Sequence, residues 1–282
     1  MTTTDRAASG VTAAPTIPRT TGADFVTASL QSAKRTILQF FRTPQLLMLG
    51  TVQGALFLFM FRYIFGGAIQ PGGGLDYVDF LVPGFLVTGI LWLGMPASSG
   101  VAEDATTGVH DRLRSLPIPR SSVMFGRSLA DTALTLWGLL VTTVLAFIVG
   151  FRLHSDAIDV IIAVALLVVA AYSFMWVFIT IGLVSGSAQA ANGMATLLVI
   201  PVAFISAAYV PADSLPGWLQ PIANHQPFTI LSNAMRSLTL GGADAVGLGH
   251  STAYWVVLSL VWCAGITLVF SAIAVSRFSR RR

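Results

Sequence analysis

Hydrophobic positions in this chain come in long blocks, with polar positions in short clusters between them. A bilayer crossing needs about 20 consecutive, mostly apolar residues. Six stretches meet that length: 45–65, 78–99, 123–150, 160–184, 192–210 and 251–276. Pro83 and Pro96 fall inside the second and Pro201 inside the fifth. Crossing helices tolerate such breaks where neighbours re-satisfy the backbone. The pattern predicts an all-α, polytopic membrane protein with six transmembrane helices. Residues 1–22, rich in Thr, Ala and Pro and without periodicity, read as a disordered tail. Residues 23–282 then form the membrane domain.

Two polar segments carry a helical period of their own. In 24–42, Val26, Leu30, Ala33, Ile37 and Phe41 recur at steps of three or four, opposite Gln31, Lys34, Arg35, Gln39 and Arg42. This is an amphipathic helix with a basic face, suited to the headgroup region; a soluble helix packed on a partner would show the same stripe. In 211–250, Leu215, Trp218, Leu219 and Ile222 form a short apolar stretch. Pro227 then opens a second pattern, with Phe228, Leu231, Met235 and Leu238 on one face and Gly241 and Gly242 after it. Proline at the start and glycine at the end is the usual helix asymmetry. The segment is too broken to span, so it predicts a helical hairpin in the outer leaflet or a cap on the surface. Trp218, Phe228, Leu231 and Arg236 are its candidate gate residues. Buried there, Arg236 would need water or a carboxylate, and Asp79 is the candidate partner.

Charge orients the chain. With six crossings both termini share one side. Placed inside, that side holds Arg6, Arg19, Lys34, Arg35, Arg42, Arg112, Arg114, Arg120, Arg127, Arg277, Arg280, Arg281 and Arg282, against Arg62, Arg152 and Arg236 outside. This asymmetry follows the positive-inside rule and places both termini in the cytoplasm, in the plasma membrane. Only 10% of the 282 residues are charged, against about 25% in soluble domains. The basic residues flank apolar blocks and do not form a nucleic-acid-binding stripe.

Candidate chemistry is sparse. The single cysteine excludes an intrachain disulfide. Lys34, the only lysine, has no glycine before it, so no phosphate-binding Gly-Lys-Ser/Thr loop exists and the chain is not an ATPase. Neither a zinc-protease helix motif nor a Gly-x-Ser-x-Gly elbow is present. No cofactor is expected in the chain. Arg127 and Asp131, near the inner end of the third span, are spaced to pair at i, i+4. The long inner connection, 100–122, opens with Glu103 and Asp104 and includes a short charged helical stretch, 107–116. It could dock another protein, or be a solvated connector; Glu103 and Asp104 could cap its helix.

Three groups of residues carry a resemblance. In the inner loop, Gly108, Asp111, Arg112, Leu113, Arg114, Leu116 and Pro117 match a G-x-x-D-R-x-R-x-L-P pattern; Gly126, Arg127 and Asp131 match a G-R-x-L-A-D start of the third span. On the outer side stand Val210, Leu215, Pro216, Gly217, Trp218, Leu219, Gln220, Gln226, Pro227 and Arg236. From about Ala23 to its end the chain resembles a type-2 ABC exporter permease of the daunorubicin-resistance branch. The resemblance implies an N-terminal elbow helix and a coupling helix in 100–122 carrying Glu103, Asp104, Gly108, Asp111, Arg112, Leu113, Arg114 and Leu116. It also implies a second permease, identical or paralogous, and cytoplasmic ATPase subunits that bind ATP and Mg.

The expected function is therefore the membrane permease of an ATP-driven exporter of a hydrophobic, drug-like or lipid-like compound. A proton-coupled secondary exporter would need a mid-depth acid, and a lipid-modifying enzyme a cluster of His, Asp or Glu at one face; neither pattern is seen. A non-transporting scaffold or immunity protein remains compatible with the sequence.

Overall fold

The computed structural model describes residues 25–41, 52, 54–65, 76–108 and 120–280. The expected tail, most of the first span before Gly54 and loop residues 109–119 lie outside the described residues.

Among the described residues every regular element is helical. In chain order they are α1 (Phe25–Phe41), α2 (Gly54–Ile64), α3 (Tyr77–Thr106), α4 (Arg120–Val149), α5 (Ala157–Val184), α6 (Ala188–Ile205), α7 (Gln220–His225), α8 (Pro227–Thr239) and α9 (Thr252–Arg280). The last turn of α2 widens into a π-helix, Phe61–Phe65. Helices α3, α4, α5, α6 and α9 are long and apolar enough to cross a membrane. The protein is polytopic, with five such helices described and α2 as a shorter apolar sixth.

Helix α3 is the central one. Its most apolar window is 78% buried, against 11% for α9, whose surface largely faces outward. It runs unbroken through Pro83 and Pro96. It packs against α4, α5, α6 and α8, while α9 lies along α5 and α8. Two apolar clusters fill the interior. The larger joins α3 to α5, α6 and α8; the smaller gathers Val101, Met124, Trp176, Leu183 and Phe278. The second cluster brings together the end of α3, the start of α4 and the ends of α5 and α9. It therefore marks one end of the bundle, the Thr106 end; the other is the Tyr77 end.

Helix α1 lies on α4. The contact uses small residues: Ser29 and Ala33 are buried, and a Cβ on Gly126 would meet Ser32 Cβ at 2.8 Å. Small residues let backbones approach closely where lipid supplies no hydrophobic drive between helices. Val26 and Leu30, on the expected apolar face, remain exposed.

The fifth expected span, 192–210, differs from the observed helix. Helix α6 starts earlier, where Ser187 caps it by accepting from Ala190 N at 3.1 Å, and stops at Ile205. Residues 206–210 are apolar enough to extend the hydropathy signal, but they turn back instead. The segment from there to α9 stays at the Tyr77 end. There Thr239 O accepts from His154 N at 2.9 Å, in the α4–α5 connection.

Candidate functional site

The functional candidates fall at the two ends of α3. At the Thr106 end, Glu103 O accepts from Thr107 N at 2.9 Å and from Thr107 Oγ1 at 2.8 Å, and Gly108 follows with φ 73°. A glycine in the left-handed region is the common way to stop a helix. Glu103 and Asp104 thus lie in the last turn of α3. Asp111, Arg112, Leu113, Arg114 and Leu116 lie outside the described residues.

Arg127, in the second turn of α4, makes the expected pair: its Nε donates to Asp131 Oδ2 at 2.7 Å. It also makes a contact the sequence did not indicate. Its Nη1 donates to Asp104 Oδ2 at 2.6 Å, linking α4 to α3. All three side chains are largely buried, with 13% exposure for Arg127, 17% for Asp104 and 7% for Asp131. Gly100, one turn before Asp104, leaves room for the guanidinium, which a Cβ there would strike.

At the Tyr77 end the segment 211–250, expected on the outer side, contains two short helices, α7 and α8. Pro227 opens α8, and Gly241 and Gly242, at φ 89° and 107°, follow it. Phe228 and Leu231 are buried, and Phe228 sits 4.5 Å from the Phe174 ring of α5, centroid to centroid. Trp218 is not part of this cluster; it is 74% exposed, before α7.

Arg236 is 1% exposed. Its partner is not the expected Asp79. Its Nε donates to Phe80 O at 2.9 Å, and its Nη2 donates to Ala207 O at 2.9 Å and Ala208 O at 2.8 Å. Its Nη1 reaches Asn233 Oδ1 at 3.4 Å, and the guanidinium carbon lies 3.6 Å from the Phe80 ring centroid. Asp79 instead accepts from Arg152 N at 3.3 Å. Burial pushes the Arg236 guanidinium down to about 9, so it still carries its charge at neutral pH. Backbone carbonyls can satisfy it because each presents a partial negative charge without the desolvation cost of a second ion.

Turn 206–210 is held by further bonds. Tyr77 Oη donates to Tyr209 O at 3.1 Å, Trp92 Nε1 to Tyr209 Oη at 3.3 Å, and Ala207 N to Thr229 Oγ1 at 3.0 Å. The turn presses on Gly84 so closely that a Cβ there would lie 2.8 Å from Ala208 Cα. Among the described residues no group of three or more His, Cys, Asp or Glu could hold a metal ion.

The sequence profile of the ABC-2 type transporter family matches residues 28–240. The chain belongs to that family. This ABC-2 permease is the membrane subunit of an ABC transporter and not itself the ATPase. It is 28% identical over 258 residues to the daunorubicin resistance ABC transporter permease protein DrrB1 of Streptomyces coeruleorubidus, covering 91% of this chain and 87% of that one. It is 25% identical over 252 residues to the probable doxorubicin resistance ABC transporter permease protein DrrC of Mycobacterium tuberculosis, covering 87% and 86%. It is also 28% identical over 213 residues to the putative transport permease ycf38 of Porphyra purpurea, covering 72% and 70%. The matched region of the ABC-2 permease runs from α1 through α8 and takes in both ends of α3.

Proposed function

We propose that this permease moves a hydrophobic, drug-like or lipid-like compound out of the cell, driven by ATP and Mg held on a separate cytoplasmic ATPase subunit. The observation that carries the reading is the similarity across 91% of the chain to a relative named for daunorubicin resistance. The permease sits in the plasma membrane with both termini cytoplasmic, as the charge asymmetry supports. Segment 100–122 receives the ATPase, with Asp111, Arg112, Leu113, Arg114 and Leu116 on its contact surface. Helix α1 lies at the headgroups as an elbow, with Val26 and Leu30 toward lipid. A second permease, identical or paralogous, completes the pathway. The exposed apolar surfaces of α6 and α9 support lipid and permease contact. The outer segment forms the exit gate, with Phe228, Leu231 and Arg236 in its fixed part and Trp218 on its rim.

The test uses inside-out vesicles carrying the permease and its ATPase subunit, with daunorubicin as the fluorescent probe. ATP-dependent accumulation is expected, and Leu113→Asp abolishes it while ATP hydrolysis persists. Accumulation that is unchanged by Leu113→Asp together with Arg112→Glu removes the coupling assignment. Absence of ATP-dependent movement of daunorubicin and of a fluorescent phospholipid removes the substrate class.

A further inference from the structure

The geometry points to Arg236 as the positioning residue that fixes the outer segment to α3, so that the two move as one body. This rests on the reading that an ATPase drives the chain from the Thr106 end.

Three segments meet at the guanidinium. Phe80 O comes from the first turns of α3, Ala207 O and Ala208 O from the turn after α6, and the arginine itself from α8. A planar fork with fixed donor directions can hold several acceptors at set angles, which an ammonium group cannot do. Opening the cluster would strand a buried charge, so its geometry resists shear. The struts around it have the same effect: Tyr77 to Tyr209, Trp92 to Tyr209 and Thr229 to Ala207.

The other contacts of α8 are different in kind. Against α5 it presents apolar packing such as Phe174 on Phe228. Such contacts are non-directional and can slide. Two bonds to the α4–α5 connection, from His154 N to Thr239 O and from Gly241 N to Ser155 Oγ, lie together at the far end of α8 and can act as a pivot. Directional polar contacts therefore bind α8 to α3 more firmly than to α5. Helix α3 is continuous, and Asp104 in its last turn is held by Arg127. A displacement at the loop would travel the length of α3 and carry the outer segment with it.

The experiment measures spin-label distances in the permease–ATPase complex in lipid nanodiscs, in a Cys263→Ser background. One pair, Asp76→Cys with Asn224→Cys, joins the start of α3 to α7. The second, Thr106→Cys with Ser276→Cys, joins α3 to α9 at the opposite end; all four positions are exposed. Between nucleotide-free and ATP–vanadate-trapped states the inner pair is expected to shift and the outer pair to keep one narrow distance. Arg236→Lys keeps the charge but loses the fork, and should give the outer pair a second, nucleotide-dependent distance. An outer distance that follows nucleotide in the wild type overturns the proposal, whether or not the variant folds. A lysine variant with the wild-type outer distance in both states overturns it too. If the inner pair stays still while the complex hydrolyses ATP, the coupling reading itself falls, and the proposal with it.

Discussion

Arg127 Nη1 lies 2.6 Å from Asp104 Oδ2, across 23 residues of sequence, and ties the end of α3 to the start of α4. With Asp131 on its Nε, this arginine ties together two carboxylates on different helices. Removing one member of a buried ion cluster costs more than removing the whole, because the remaining charges lose their compensation.

Arg127→Ala should therefore destabilise the permease by about 3–5 kcal/mol, the range for breaking a buried pair. Asp104→Asn keeps an amide oxygen near Arg127 and should cost less, about 0.5–1.5 kcal/mol. Thermal unfolding midpoints in detergent check the ranking. A larger loss for Asp104→Asn would show that Arg127 is not the centre of the cluster.

Thiol labelling distinguishes the buried part of the outer segment from its rim. In a Cys263→Ser background, a cysteine at Phe228 or Leu231 should stay unlabelled by a water-soluble maleimide, and one at Trp218 should react. The first two side chains are each 1% exposed and the third 74%. Rapid labelling at Leu231 would mean that α8 lifts off the bundle.

Orientation has its own reporters. In intact cells an impermeant reagent should modify a cysteine at Asp244 and spare one at Thr106, since these exposed positions lie at opposite ends of the bundle. The reverse pattern would invert the topology.

Gly84→Ala should cost about 1–3 kcal/mol through overpacking. Its Cβ would run into the Ala208 backbone, which cannot move aside as a flexible side-chain tip could. The same change should loosen the Arg236 cluster, read as faster hydrogen exchange at Ala207, whose amide is bound to Thr229. Wild-type stability with slow exchange would show that the turn has slack.

The sequence made some of these features legible and hid others. Helices α4, α5 and α9 matched their hydropathy blocks to within a few residues, because a lipid-facing helix needs apolar side chains nearly all round. The Arg127–Asp131 pair was readable from its i, i+4 spacing. Asp104 was not, since its distance from Arg127 is set by a helix–loop–helix return that leaves no local period. The end of α6 was misread because Ala207, Ala208, Tyr209 and Val210 are as apolar as the helix before them. Arg236 stood out as a cation in an apolar setting, and a carboxylate was the natural guess. Three of its acceptors are main-chain oxygens, which every residue carries and no side-chain pattern reveals; the fourth is Asn233 Oδ1.

The early stop of α6 also bears on the surrounding lipid. Its 18 residues span about 27 Å at 1.5 Å per residue, while the 30 residues of α3 span about 45 Å. A hydrocarbon layer of about 30 Å cannot match both lengths without tilt of the long helix or local thinning beside the short one. The outward face of α6, with Leu197 76% exposed, is where acyl chains would have to shorten or splay. Bilayer thickness thereby becomes a variable acting on this molecule, felt first along one helix whose length is fixed by a turn and not by its hydropathy.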